Sequence, residues 1–149
     1  MKKGFTLIEL LLVIAIIGIL SATVLSSLSS ARGKGNDAKL KTQMNTLRSG
    51  VELYYVNNSN SYGTAGTSCT AGVFASATGN VSNIITSVSG LSSATDCGNT
   101  TTAWAVAAVL PSNTGSFCVD STGAAKNYTG TTLTGAGNAK SAAGATVCQ

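Results

Sequence analysis

Four cysteines have the most evident chemistry in this sequence, and all of them lie beyond its first third: Cys69, Cys97, Cys118 and Cys148. A zinc site built from all four is one alternative, and reduced, buried thiols are another. Zinc sites usually place two cysteines two residues apart, a spacing that no pair has here. An even number of cysteines in a weakly apolar region favours two disulfides, formed in an oxidising compartment. Of the three possible pairings, Cys69–Cys97 with Cys118–Cys148 closes the local loops and is favoured.

Side chains for acid–base catalysis are scarce. The chain has no His and five Asp or Glu residues among its 149, so the commonest general base and the commonest metal ligand are missing. Beyond the N-terminal segment, the carboxylates are Asp37, Glu52, Asp96 and Asp120. We therefore expect no enzyme, no cofactor and no metal site. Hydrolytic activity that depended on Asp96 or Asp120 would restore the enzymatic alternative.

A single carboxylate, Glu9, interrupts a long apolar run near the N-terminus. The run extends from Phe5 to Leu25, which is 21 residues, and Glu9 is its only charged residue. As a helix it would be about 31 Å long, enough to span the hydrocarbon core of a bilayer. A carboxylate at that depth costs roughly 3 kcal/mol, so a partner or a function is expected for it.

Three interpretations fit this segment. A secretory signal peptide cleaved after Ala31 would leave a secreted binding domain, but the apolar run is long for one and Glu9 is out of place. A plain single-span anchor explains the length but not Glu9. A leader cut before Phe5 would leave the apolar helix on the mature protein.

The heptapeptide Gly4-Phe5-Thr6-Leu7-Ile8-Glu9-Leu10, between a basic leader and the apolar run, resembles the class III signal of type IV pilins and pseudopilins. The resemblance covers about the first 30 residues. It implies that a prepilin peptidase cuts between Gly4 and Phe5, and that the new amino group of Phe5 is N-methylated. Glu9 stands where the family has its glutamate, and Ser26 stands where the family usually has Pro.

The resemblance implies a structural subunit of a type IV pilus. Such a chain is a single-pass inner-membrane protein before assembly, and the pilus assembly machinery then stacks it into an extracellular helical homopolymer. Adhesion, twitching motility or DNA uptake would follow from the filament. A pseudopilin of a type II secretion system is the alternative within the family. Nucleic-acid binding has little support, because the basic residues lack interleaved aromatic residues.

Elementary physics gives Glu9 a role in assembly. An ammonium at Phe5 and a carboxylate at Glu9 are each costly in an apolar environment, and pairing them between neighbouring copies would neutralise both and fix the register. The small residues Gly18, Ala22 and Ser26 recur at intervals of four, a spacing that lets apolar helices approach closely.

The predicted organisation follows these segments: a leader at 1–4, a filament-core helix at 5–30, an amphipathic helical half at 31–56 and a globular head at 57–149. The stretch from Ala31 to Asn36 could break the helix or merely loosen it. Beyond it, apolar residues return at helical spacing: Leu40, Met44, Leu47, Val51 and Tyr54.

The head is predicted to be α+β, with a three- or four-stranded antiparallel sheet covering the helix stripe, as in the pilin ladle fold. Its expected elements are a helix at 82–91 and strands at 103–110, 116–120 and 124–128. The strand at 103–110 alternates and is expected to be half-buried. Where the family's tyrosine-rich helix end continues with Pro, this sequence has Gly63.

Overall fold

A computed structural model describes residues 4–133 and 146–148. The fold is α+β: a long N-terminal helix and a small four-stranded antiparallel sheet. The elements are α1 (Leu7–Asn57), α2 (Val81–Leu91), β1 (Thr95–Asn99), β2 (Trp104–Val109), β3 (Ser116–Asp120) and β4 (Ala125–Tyr128), with two short 3-10 turns at Gly72–Ala75 and Thr78–Asn80. The predicted C-terminal region lies partly outside the described residues, at 134–145 and 149.

Contacts divide the chain into two compact units, Met1–Gly33 and Lys34–Gln149. The part of α1 that lies in the first unit is apolar on all sides. The most apolar 18-residue window of α1 has a mean hydropathy of 2.7, and no residue of that window is buried. It is the one helix among the described residues that is long and apolar enough to cross a membrane. The possible break near Ala31 is absent, since α1 is helical throughout its length.

In the second unit, α1 buries one stripe against the sheet. Leu40, Met44, Leu47 and Val51 are fully buried, at the spacing that the sequence predicts, because residues three and four apart share a helix face. They pack in one cluster with Trp104 and other side chains of the sheet, of α2 and of the 3-10 turn at Gly72–Ala75. Tyr54, the last residue of the predicted stripe, is only partly buried.

The four strands follow one another in space as in sequence, each antiparallel to the next. Strand β2 was expected to be half-buried, but all six of its residues are buried. Its Trp104 and Val106 face the α1 cluster, whereas Ala107 and Val109 belong to a second cluster that includes Leu133 and the Cys118 and Cys148 side chains. Leu133 and Cys148 therefore help to cover the second face of β2, which the local sequence pattern did not predict.

Strand β1 was not predicted from the sequence. Its residues, Thr-Asp-Cys-Gly-Asn, include types that are depleted in strands. Tertiary contacts form it instead: it pairs with β2, and Asn99 at its end is buried. The Asn99 amide donates to the carbonyls of Tyr62 (3.1 Å) and Thr64 (2.9 Å), which attaches the loop after α1 to the sheet.

The structure explains why Gly63 stands where the family usually has Pro. Its φ of +82° lies in the left-handed region, which Pro cannot adopt because its ring fixes φ near −65°. A Cβ at this position would lie 2.9 Å from the hydroxyl of Tyr54. The loop therefore leaves α1 by a turn that only glycine accommodates easily.

Candidate processing and assembly segment

The predicted processing site lies immediately before helix α1. Gly4, Phe5 and Thr6 are exposed and outside any regular element, and the helix begins at Leu7. Phe5 is 77% exposed. The Gly4–Phe5 peptide bond is therefore in irregular, accessible backbone, whereas the peptide bonds from Leu7 to Asn57 are part of the helix.

A capping box closes the start of the helix. The backbone N–H and the hydroxyl of Thr6 donate to Oε2 of Glu9, at 2.9 and 2.7 Å. The N–H of Glu9 in turn points to the Thr6 hydroxyl oxygen, at 3.4 Å. This reciprocal arrangement satisfies two backbone donors that a helix start otherwise leaves without partners.

Sequence reasoning gave Glu9 a role in assembly but missed this local one. The signal was available, because Thr-x-x-Glu directly before an apolar run is the sequence signature of a capping box. Both local bonds use Oε2, and no other described residue donates to Oε1. Both local bonds thus use one carboxylate oxygen, and a carboxylate has further acceptor capacity for a cationic partner.

The two small residues predicted to support packing lie further along α1. Gly18 and Ala22 are exposed and one helical turn apart, and nothing lies within 4 Å of where a Cβ on Gly18 would be. The structure therefore groups the predicted site residues into two sets. Gly4, Phe5 and Glu9 surround the helix start, and Gly18 and Ala22 form a shallow, open surface on the apolar helix.

The four cysteines form two disulfides. Cys69 is bonded to Cys97, with Cα atoms 5.0 Å apart, and Cys118 to Cys148, with Cα atoms 5.8 Å apart. This is the pairing that local loop closure favours. Among the described residues, no group of three or more His, Cys, Asp or Glu side chains could hold a metal ion.

Asp120 is a structural carboxylate at the end of β3. It is 1% exposed, and it accepts hydrogen bonds from the N–H of Thr122 (2.9 Å), the hydroxyl of Thr122 (2.7 Å), the N–H of Ala124 (3.1 Å) and the N–H of Cys148 (2.8 Å). Burial alone would raise the pKa of the Asp120 carboxyl, but these four bonds to its charged form outweigh burial and lower the pKa. The side chain is saturated as an acceptor, which suits a role in holding the turn.

Glu52 connects α1 to the interior of the head. Its Oε1 accepts the hydroxyl of Tyr62 at 2.9 Å and the indole N–H of Trp104 at 3.4 Å. Burial, followed by the nearby Glu52 carboxylate, raises the pKa of Tyr62 to about 12. Trp104 is fully buried, and this bond satisfies its single polar group.

Two comparisons with known proteins, one with family models and one with curated proteins, find similarity to the same kinds of protein. Residues 1–25 match the family model described as the prokaryotic N-terminal methylation motif. The chain is 48% identical over 60 residues to the type IV wide pilus major component PilA4 of Thermus thermophilus, a match that covers 40% of this chain and 45% of that relative.

It is also 34% identical over 58 residues to the type II secretion system core protein G of Klebsiella michiganensis, covering 39% of this chain and 41% of the relative. The protein of the same name from Klebsiella pneumoniae is 31% identical over 58 residues, with the same coverage. The chain spans less than half the length of the curated relatives it matches. No solved structure matches it significantly.

An exposed apolar helix with a capped start and an α+β head with two disulfides are together consistent with the pilin fold. The methylation motif covers the first 25 residues, and the relatives match 58 to 60 residues of the chain. Over these segments the chain is similar to type IV pilins and to type II secretion pseudopilins.

Proposed function

We propose that this chain is a structural subunit of a type IV pilus, made as a membrane-anchored precursor and assembled into an extracellular filament. The observation that carries the proposal is the start of α1: an exposed, irregular Gly4–Phe5 bond directly before a capped apolar helix. The 48% identity to a pilus major component supports the pilus over other members of the family.

In this proposal, a prepilin peptidase cleaves the Gly4–Phe5 bond. A peptidase binds extended backbone, and the capping box ends the helix just short of the bond, so cleavage requires no unwinding of α1. The product begins with the ammonium of Phe5, which is then N-methylated and keeps its positive charge. That charge lies at the positive end of a helix, in an apolar environment, and needs an anionic partner.

Glu9 supplies that partner in a neighbouring copy. Its Oε2 stays on Thr6 and preserves the helix start, while Oε1 accepts the incoming ammonium. A misregistered copy would leave two unpaired charges in an apolar surrounding, at a cost of several kcal/mol. The pair therefore acts chiefly as a register device.

The apolar surface of the helix supplies most of the association energy. Its large side chains are between 45 and 79% exposed in the single chain: Phe5, Leu7, Ile8, Leu10, Leu11, Leu12, Val13, Ile14, Ile16, Ile17, Ile19, Leu20, Val24, Leu25 and Leu28. Lipid covers this surface in the precursor, and equivalent helices cover it in the filament, with Gly18 and Ala22 allowing close approach. A repeated head-to-tail contact that does not close on itself generates a filament.

The alternative within the family is a type II secretion pseudopilin, favoured by the 34% and 31% identities to core protein G. The alternative from another class is a secreted domain released after Ala31, and a mature N-terminus at Arg32 would favour it. Adhesion, twitching motility and DNA uptake, together with the assembly machinery that drives them, are proposed as consequences of the filament.

The test is filament assembly with variants at Glu9. Glu9→Gln keeps an acceptor for the Thr6 bonds but removes the charge, whereas Glu9→Val removes both. We expect processed subunit in the membrane for both variants and at least a tenfold lower yield of sheared filaments. Wild-type filament yield from Glu9→Gln would contradict the proposed pairing, and the absence of any long filament from wild-type cells would favour the pseudopilin.

A further inference from the structure

The chain between Leu10 and Val51 has an unusual charge balance. It contains a single carboxylate, Asp37, and five basic residues: Arg32, Lys34, Lys39, Lys41 and Arg48. Asp37 is already engaged, because its Oδ1 accepts the N–H of Ser112 at 2.9 Å and its Oδ2 accepts the Ser112 hydroxyl at 2.5 Å. The only nearby acid therefore serves the loop between β2 and β3.

The five basic residues differ in their surroundings. The Lys41 ammonium lies over the ring of Phe117, 5.7 Å from its centroid, and Arg48 is partly buried beside the turn after β3, near Gly123. By contrast, Arg32, Lys34 and Lys39 are exposed, and Asp37, the one carboxylate in this stretch of sequence, is engaged with Ser112. We call these three residues the basic segment.

The position of the basic segment in the chain matters. Leu28, three residues beyond the apolar run, is the last large apolar residue before the basic segment, and Arg32 and Lys34 follow it in sequence by four and six residues. In a membrane-anchored precursor, the residues directly after the apolar run meet the headgroup region. Long basic side chains commonly extend towards that region.

The disulfides of the head indicate that the basic segment lies on the non-cytoplasmic side of the membrane, opposite to the side that its charge favours. By the positive-inside rule, basic residues flanking a span favour the cytoplasmic side, and the basic segment outnumbers Lys2 and Lys3 of the leader. Yet the Cys69–Cys97 and Cys118–Cys148 bonds require an oxidising compartment for the head. The basic segment must then lie at the outer leaflet, where a compensating interaction is expected.

We propose that the basic segment binds anionic phospholipid headgroups of the outer leaflet and holds the precursor at a fixed depth before assembly. The headgroup phosphate is the complementary charge available at this depth, and arginine and lysine near a membrane surface are attracted to it. The inference rests on the proposed function, because it requires a membrane-anchored precursor.

The experiment uses the full chain reconstituted in vesicles of equal parts phosphatidylcholine and phosphatidylglycerol. The protein is extracted with its surrounding lipid in polymer-bounded nanodiscs, and the retained lipids are quantified by mass spectrometry. The test variant is Arg32→Gln/Lys34→Gln. The control is Lys126→Gln/Lys140→Gln, which removes the same net charge far along the chain from the apolar run.

We expect at least a twofold enrichment of phosphatidylglycerol around the wild type and the control, reduced by half or more in the test variant and in 0.5 M salt. Equal lipid ratios for wild type and test variant would overturn the inference. Filament yield is measured separately in cells. Filaments without lipid enrichment would refute the lipid contact alone, and enrichment without filaments would refute the proposed pilus while leaving the contact in place.

Discussion

The Thr6 hydroxyl donates a hydrogen bond of 2.7 Å to the Glu9 carboxylate across the start of helix α1. The same carboxylate oxygen also accepts the Thr6 N–H, at 2.9 Å. The Glu9 side chain therefore fixes where the helix begins through Oε2. In the proposed function its other oxygen, Oε1, accepts the ammonium of a neighbouring copy. The helix start thus depends on a Thr-x-x-Glu pattern four residues long, and in the proposed function the cleavage position and the register depend on the same four residues.

Replacing Thr6 tests the capping role. Thr6→Ala removes the hydroxyl from the box, and Thr6→Ser keeps it, so only the alanine variant should fray the helix start, by about 1 kcal/mol. Amide hydrogen exchange of the full chain in micelles measures this directly. We expect roughly fivefold faster exchange at Glu9 and Leu10 in Thr6→Ala. Identical exchange in the alanine and serine variants would contradict the capping box.

Two glycines of α1 should respond oppositely to alanine. A Cβ on Gly50 would lie 2.5 Å from the carbonyl oxygen of Gly79, whereas nothing lies within 4 Å of one on Gly35. Gly35→Ala should stabilise the protein by up to about 1 kcal/mol, through helix propensity. Gly50→Ala should destabilise it by about 1–2 kcal/mol, because overpacking outweighs that gain.

Urea unfolding followed by the fluorescence of Trp104, the only Trp in the chain and fully buried, provides the measurement for these variants. The difference between the two glycine variants is the informative quantity, since both add the same methyl group to the same helix. Stabilisation by Gly50→Ala would mean that α1 and the Gly79 turn are not in the close contact described.

The sequence predicted the parts of this fold that depend on local periodicity. The stripe from Leu40 to Val51 and the helix α2 follow from apolar spacing, and the strand β3 from the turn residues after it. The bounds of α2 and β3 differ from the predicted ones by one residue at most, whereas α1 begins two residues later than predicted. Strand β1 and the burial of both faces of β2 could not be predicted in the same way. Strand β1 depends on its pairing with β2 and on the bonds of Asn99, and the burial of the second face of β2 depends on Cys148. These contacts join residues that are distant in sequence.

In the candidate processing segment, the sequence motif identified the residues, but the hydrogen bonds between them were not predicted. Gly4, Phe5 and Glu9 were identified from a motif, whereas the hydrogen bonds between Thr6 and Glu9 required attention to helix capping. The roles of Glu52 and Asp120 were not foreseen. The partners Tyr62, Trp104 and Cys148 are between 10 and 52 residues away, whereas the other bonds of Asp120, to Thr122 and Ala124, are local.

Asp120 should make the head acid-sensitive. Its pKa is lowered from the ordinary value of 3.8, so the unfolded chain takes up the proton more readily than the folded one. The stabilisation is complete above about pH 5 and is lost as the pH falls below 3.8 and through the lower folded pKa. Asp120→Asn should lose about 1.5–3 kcal/mol at pH 7, since an amide replaces a charged acceptor.

Urea unfolding at a series of pH values from 7 to 3 checks both statements. The wild type should become markedly less stable across the acidic part of the series, and the variant should change less. Parallel curves for the two proteins would show that other carboxylates govern the acid response.

The Cys118–Cys148 bond should contribute substantially to the stability of the head. The cysteines are 30 residues apart, and closing a loop of that length contributes roughly 3–4 kcal/mol in the chain-entropy description. Cys118→Ser/Cys148→Ser should lower the stability by about that amount and speed exchange at Ala107 and Val109, which the bond helps to cover. Unchanged exchange at both amides would contradict this role, and Cys69→Ser/Cys97→Ser serves as the matched control.

The central claim is that the apolar segment beginning at Phe5 remains on the mature subunit and joins copies of it. Intact and N-terminal mass spectrometry of a sheared surface fraction, imaged by electron microscopy in parallel, tests this most directly. The account predicts fibres whose subunit begins with N-methylated Phe5. A native product that begins at Arg32, or any product lacking the apolar helix, would contradict it.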